Sequence, residues 1–142
     1  MHDYGLTRIP RNTMCFEVEG AEIARGFLER HGMSPDAADR AAIAIILHMQ
    51  PNVTLADGVE AVLLDRATGL DVRGTGYELV DAVRQGVVQA FPRRDFDRRF
   101  VAAIRREVAV RPTCQSARLL NVTGLESWVA GSPWADIAAG GG

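Results

Sequence analysis

The sequence predicts an all-α domain. Apolar residues recur at helical spacing in several segments, and proline, glycine or a capping residue bounds most of these segments. No run of four or more residues alternates apolar and polar side chains strongly enough to predict a strand. With 142 residues, 47% of them hydrophobic and 24% charged, the chain is long enough to bury one modest core.

Five helices and a C-terminal tail make up the predicted organisation. The helices cover about Val18 to His31, Ala37 to Met49, Asp57 to Asp71, Glu78 to Ala90 and Asp95 to Val110. Residues 117–121 are expected to add a turn or two, and the tail beyond them is expected to pack loosely or to need a partner. We therefore predict one helical domain at residues 1–113 and a partly ordered tail at residues 114–142.

The second and third helices carry the most informative patterns. Ser34 and Pro35 suit the N-cap and first position of the second helix. The later half of that helix is apolar all round, which predicts burial on every side, and His48 lies on it. The third helix opens at Asp57 in a segment with the form of a capping box, and its apolar stripe leads to Asp71.

Charge and hydropathy argue against two classes of partner. The formal net charge is -2, so no strong field draws the chain toward nucleic acid or an anionic lipid surface. No stretch approaches the roughly 18 apolar residues of a membrane span, and the N-terminus lacks the features of a secretory signal. These observations predict a cytoplasmic protein without a nucleic-acid or membrane partner.

Cysteine usage adds one expectation. The chain contains only Cys15 and Cys114, without CxxC spacing. We expect two free thiols in a reducing cytoplasm, and no zinc site built on cysteine.

Polar side chains stand at four positions where burial is otherwise expected: His2, Asp3, His48 and Asp71. A buried carboxylate is costly unless a cation or hydrogen-bond donors compensate its charge. For Asp71, that cation is either a metal ion or a nearby arginine, Arg66 or Arg73. A histidine on an apolar helix is most often a hydrogen-bonded core residue, and His48 taken alone is interpreted in this way.

The order of several short motifs changes that interpretation. The segment His2–Thr7 reads HDYGLT and resembles the His-Asp-x-Gly-Leu-Thr run of HD-domain proteins, especially the branch related to cyanamide hydratase. Similar blocks follow in the family's order at residues 16–28, 44–48, 69–74 and 91–100. The resemblance spans roughly residues 2–113 and implies a helical HD-domain bundle.

The resemblance also implies a metal site and a type of reaction. In this superfamily an early histidine, the His-Asp doublet and a distal aspartate hold the metal. His2 and Asp3 match the doublet, and Asp71 matches the distal aspartate. His48 matches a histidine near the open side of the metal, which implies proton transfer or a supporting role. Such ligands suit Zn²⁺, Fe, Mn²⁺ or Ni²⁺, whose bound water attacks an electrophilic carbon or phosphorus.

Two substrate classes follow from the resemblance. The cyanamide hydratase branch implies hydration of a small nitrile-like molecule, and the superfamily at large implies hydrolysis of a phosphomonoester or nucleotide. The sequence shows no glycine-rich phosphate loop and no identifiable cluster of arginines, so it lends the second class no separate support.

The chain departs from the family pattern at its beginning. The family's first metal-binding histidine precedes the doublet, where this sequence has only Met1. His31 is a poor substitute, because it ends a helix at a position that favours an exposed, dipole-compensating residue. We therefore expect a bundle lacking its first helices, a weakly held metal, and an exposed apolar surface that favours homo-oligomers.

Three accounts explain this beginning: a start assigned too late, which we prefer, a decayed gene, or one half of a split enzyme. The alternative function is a non-catalytic helical interaction domain that keeps remnants of the fold. The missing histidine favours this alternative, whereas the presence of His2, Asp3, His48 and Asp71 disfavours it for the parent protein.

Overall fold

A computed structural model describes residues 1–8, 13–74 and 81–134. All regular secondary structure in these ranges is helical, which confirms the all-α class. The α-helices are Phe16–Arg30 (α1), Pro35–Leu47 (α2), Val59–Arg73 (α3), Asp81–Ala90 (α4), Phe96–Val110 (α5), Gln115–Asn121 (α6) and Leu125–Ala130 (α7). Short 3₁₀ helices lie at Tyr4–Thr7 and Leu55–Asp57. No helix in the described ranges is long and apolar enough to cross a membrane.

Small side chains let the first three α-helices pack closely. The buried residues that join α1 to α2 are Ala21, Ala24, Ala42 and Ile45, and those that join α2 to α3 are Ala44, Val53 and Ala61. Because alanine allows two helix axes to approach each other, these contacts form one continuous helical layer.

The largest apolar cluster lies where the start of α1 meets α5 and α7. Its buried members are Leu6, Phe16, Ile104, Leu125 and Val129. Ile104, on α5, is fully buried. Leu125 and Val129 belong to the segment predicted as a tail, so α7 contributes to the core. The division of the chain near residue 114 stays a prediction.

Two predictions about the second and third helices are wrong. α2 is not buried on every side, because Ile43 on its outer face is 49% exposed. The capping box is formed by Thr54 and Asp57, and it caps the N-terminus of the 3₁₀ helix instead of that of α3. Gly58, with a φ of 103°, separates the two elements. Asp57 therefore takes part in a capping box, but in the 3₁₀ helix that precedes α3.

The apolar stripe of α3 also faces outward. Val59 and Leu63, two members of this stripe, are 55% and 64% exposed. Ala61 is 1% exposed and faces α2 instead. The close approach of α2 and α3 requires a small side chain at the contact, so the larger residues of α3 remain at the surface.

The expectation of two free thiols is wrong. Cys15 and Cys114 form a disulfide that joins the residue before α1 to the residue before α6, across a sequence separation of 99. Because disulfides persist mainly in oxidising compartments, this bridge counts against the expected cytoplasmic location, which stays a prediction.

Candidate functional site

One cavity collects polar side chains from distant parts of the chain. Its volume is about 650 Å³, and it lies between the N-terminal segment, the end of α2, the later half of α3 and the α6–α7 region. His2, Asp3, His48 and Asp71, the four residues that the sequence singled out, all line it. Its apolar wall includes Met49, Val72, Phe100, Leu125 and Trp128.

The N-terminal segment reaches this cavity because a glycine lets it lie against α1. A Cβ atom at Gly5 would collide with the carbonyl group of Phe16, the first residue of α1. Arg106 of α5 adds a hydrogen bond of 2.7 Å from Nη2 to the carbonyl oxygen of Leu6. These two contacts hold the His-Asp doublet at the edge of the cavity.

His48 caps the C-terminal end of α2 and is 6% exposed. Its Nδ1 lies 2.5 Å from the carbonyl oxygen of Ile45. Because a carbonyl oxygen can only accept, Nδ1 carries a hydrogen and donates it. The other ring nitrogen, Nε2, faces Oδ1 of Asp3 at 3.5 Å, and it donates to this carboxylate when the ring is protonated and carries a hydrogen on both nitrogens. The backbone of α2 thus decides which nitrogen of His48 points at the doublet.

Asp3 joins the two histidines. Its Oδ2 lies 3.2 Å from Nε2 of His2, and the rings of His2 and His48 meet edge to face with centroids 5.2 Å apart. Burial opposes the charge on Asp3, but hydrogen bonds from His2 and His48 outweigh it and hold the pKa of this carboxyl well below its usual range. A carboxylate therefore sits between two imidazoles. We call His2, Asp3 and His48 the histidine wall.

Asp71 lines the cavity from α3 and is paired with an arginine. Its Oδ1 accepts a hydrogen bond of 2.6 Å from Nη1 of Arg93, and its main-chain oxygen accepts one of 3.0 Å from Nη2. The side chain of Asp71 is 58% exposed, so the prediction that it continues a buried stripe is wrong. The compensating arginine is Arg93, and neither Arg66 nor Arg73 takes that place. We call Asp71 and Arg93 the aspartate wall.

The ligand types suit a divalent transition metal, but their placement suits it only in part. Imidazole nitrogen and carboxylate oxygen are ordinary ligands of such ions. Within the described ranges, however, no three His, Cys, Asp or Glu side chains are arranged to hold a metal ion. Asp71 is engaged by Arg93 and is not joined to the doublet. Metal binding by His2, Asp3 and Asp71 stays a prediction.

A buried ionic network behind the histidine wall was missed in the sequence. Arg111 donates from Nη1 to both carboxylate oxygens of Glu107, at 2.8 and 3.0 Å, and from Nη2 to Glu19 at 3.1 Å. Glu107 also accepts the backbone N–H of Phe16 at 3.1 Å. The available signal was the four-residue spacing of Glu107 and Arg111 at the end of a predicted helix, which brings their side chains together.

Glu17 is a second buried residue that was missed. It is 4% exposed, and its Oε2 has no hydrogen-bond partner among the described residues. Burial raises the pKa of Glu17 above its usual value, and the charge of Glu107 acts in the same direction. Glu17 and Glu19 look alike in the sequence, so nothing there showed which of them turns inward.

Three arginines that the sequence did not group also line the cavity: Arg66, Arg73 and Arg118. The guanidinium of Arg73 lies over the ring of Trp128, 5.2 Å from its centroid. Because guanidinium groups bind phosphate and carboxylate, this part of the wall suits an anionic group.

His31, set aside as a surface residue, is exposed at the end of α1. Its Nδ1 lies 2.8 Å from the carbonyl oxygen of Phe27, and the two rings stack 4.0 Å apart. It does not line the cavity. His31 therefore serves as an internal reference for the two histidines of the histidine wall.

No protein-family model, curated protein or solved structure matches this chain. The resemblance to HD-domain proteins therefore stays a prediction from the sequence motifs.

Proposed function

We propose that the cavity is the active site of a metal-dependent hydrolase or hydro-lyase of the HD type. The observation that carries this proposal is that residues far apart in sequence, His2, Asp3, His48 and Asp71, line one cavity. A volume of about 650 Å³ suits a small-molecule substrate. The formal net charge of -2 gives no reason to propose nucleic acid as a partner.

The proposed metal ligands are His2, Asp3 and Asp71, and the proposed metal is Zn, Fe, Mn or Ni. When bound, such an ion supplies a water molecule of lowered pKa as the nucleophile. The aspartate wall has to change for this to happen, because Arg93 now occupies the carboxylate of Asp71. Because the metal has to displace Arg93 from Asp71, it is expected to bind weakly.

His48 is proposed to move the proton. Its Nδ1 is committed to the carbonyl oxygen of Ile45, so Nε2 is the nitrogen that can take or give a proton. Since His48 lines the cavity beside Asp3, that proton can pass to the nitrogen or oxygen anion that forms on the substrate. Phe16 supports the ring edge-on, with centroids 6.2 Å apart.

The substrate is proposed to be a small electrophile, either a nitrile-like molecule such as cyanamide or a phosphomonoester. The resemblance to the cyanamide hydratase branch supports the first. Arg66, Arg73 and Arg118 in the cavity wall support the second, since they suit an anionic group.

Metal analysis after dialysis against each candidate ion tests the proposal. With the ion at saturating concentration on both sides of the membrane, the wild type should bind one ion per chain, His2→Ala and Asp71→Ala should bind none, and His48→Ala should bind it but lose turnover of cyanamide or a phosphomonoester. His31→Ala is the matched control and should behave as the wild type. A wild type without bound metal, or a loss in His31→Ala equal to that in His2→Ala, would contradict the proposal.

A second candidate is a non-catalytic interaction domain that forms homo-oligomers. One observation favours it: the large apolar side chains of Val59 and Leu63, one turn apart on α3, are exposed. Sedimentation velocity separates the candidates. A self-associating domain should become monomeric in Leu63→Glu, whereas an enzyme with an unrelated oligomeric state should keep its turnover and its sedimentation coefficient.

A further inference from the structure

We propose that Arg93 and Trp134 form a latch that holds Asp71 in competition with a metal ion. Docking of residues 131–134 and metal binding in the cavity would then oppose each other. This inference rests on the proposed function, since it concerns the same site. It explains why the predicted ligands line one cavity without forming a ligand group.

Arg93 is well placed to hold Asp71. Its two terminal nitrogens contact the side-chain and main-chain oxygens of the same residue, at 2.6 and 3.0 Å. The side chain of Arg93 is only 13% exposed, and its guanidinium lies 4.3 Å from the ring centroid of Phe96 and 5.6 Å from that of Trp134. A guanidinium that lies near two aromatic rings and is bonded at two points orients a carboxylate firmly.

Trp134 ties the latch to the end of α3. It is 5% exposed, and its indole N–H donates to the carbonyl oxygen of Leu70 at 2.9 Å. Gly74, the left-handed C-cap of α3 with a φ of 67°, lies so close to Pro133 that a Cβ would be 2.5 Å from its Cγ. Residues 133 and 134 therefore dock on the same helical turn that carries Asp71.

Two features of the latch allow Asp71 to separate from Arg93. The Asp71 carboxylate is largely exposed, so a cation from solvent can reach it. Nε of Arg93 has no hydrogen-bond partner among the described residues, so the docked state is not fully satisfied. If metal and Arg93 compete for one carboxylate, each weakens the binding of the other by the same factor.

Zinc titration by calorimetry tests the latch in the full chain. Trp134→Ala and Arg93→Gln should bind Zn²⁺ about tenfold more tightly than the wild type, a typical size for coupling between two sites. Arg105→Gln is the matched control, because Arg105 pairs with Glu126 at the surface at 2.7 Å, and its affinity should not change. Circular dichroism verifies that each variant is folded.

Two further measurements separate a latch from simple charge repulsion. Arg93→Lys keeps the positive charge but cannot contact both oxygens in the same way, so a latch predicts tighter zinc binding and repulsion predicts none. Zinc should also increase hydrogen exchange at residues 131–134 in the wild type. Zinc binding that depends on Asp71 but is unchanged in Trp134→Ala and Arg93→Lys overturns the latch and leaves the proposed function standing. Absence of binding in every variant overturns both.

Discussion

Each wall of the cavity has an arginine–carboxylate ion pair beside it or within it, and the two pairs differ in their exposure to water. Behind the histidine wall, the side chains of Arg111 and Glu107 are 1% and 2% exposed. On the aspartate wall, Arg93 is 13% exposed and Asp71 is 58% exposed. An ion pair that is cut off from water cannot lose one partner cheaply, whereas an exposed carboxylate can exchange its partner. These exposures indicate that the histidine wall is fixed and that the aspartate wall can rearrange.

The largest expected effect comes from removal of Glu107, which lies behind the histidine wall. Glu107→Ala leaves the Arg111 guanidinium buried without its main carboxylate and removes the acceptor of the Phe16 N–H. We expect a loss of about 3–5 kcal/mol in the free energy of unfolding, measured with urea. Glu126→Ala is the matched control, because Glu126 is 45% exposed in its pair with Arg105, and should cost about 0–1 kcal/mol. Equal losses in the two variants would contradict the difference between the walls.

The disulfide beside the histidine wall should have the next largest effect on the free energy of unfolding. Reducing the bond between Cys15 and Cys114, which lie 99 residues apart, should lower the free energy of unfolding by about 2–5 kcal/mol. The double variant Cys15→Ser with Cys114→Ser should show the same loss, and it should not respond to reductant. In nitrogen-15 spectra of the imidazoles, His2 and His48 should shift on reduction while His31 stays in place. A shift of His31 alone would show that the bridge does not support the histidine wall.

The smallest effect concerns pH and Glu17. Because the folded state raises the pKa of Glu17 above its usual value of 4.5, the folded chain holds this proton more strongly than the unfolded chain. Stability is therefore lost as pH rises from about 4.5 through the raised pKa. Glu17→Gln removes this loss, so its stability relative to the wild type should increase as pH rises from about 4.5 through the raised pKa. The exposed Glu22→Gln is the control. An equal pH response in both variants would contradict the burial argument.

The sequence predicted most helix positions because their boundaries depend on local chemistry. The fifth helix was expected from about Asp95 to Val110 and runs from Phe96 to Val110. Ser34 was expected to cap the second helix, and its Oγ accepts the N–H of Ala37 at 3.4 Å. In both cases the deciding contacts lie within a few residues of each other.

Contacts between distant residues could not be predicted in the same way. The partner of Asp71 lies 22 residues away, on a segment whose position depends on the whole fold. The predicted orientation of α3 was wrong, because the spacing of apolar residues does not reveal that the contact between α2 and α3 requires a small residue such as Ala61. The four site residues were predicted from motifs, and the structure places all of them on one cavity, but the pairing of Asp71 with Arg93 was not predictable from spacing.

The most direct test of the account is a crystal structure of the chain with Mn²⁺, located by its anomalous scattering. The account predicts one ion between the two walls, in contact with His2, Asp3 and Asp71, and the carboxylate of Asp71 released from Arg93. An ion found only at the surface, or an intact contact between Asp71 and Arg93 beside a bound ion, would contradict it.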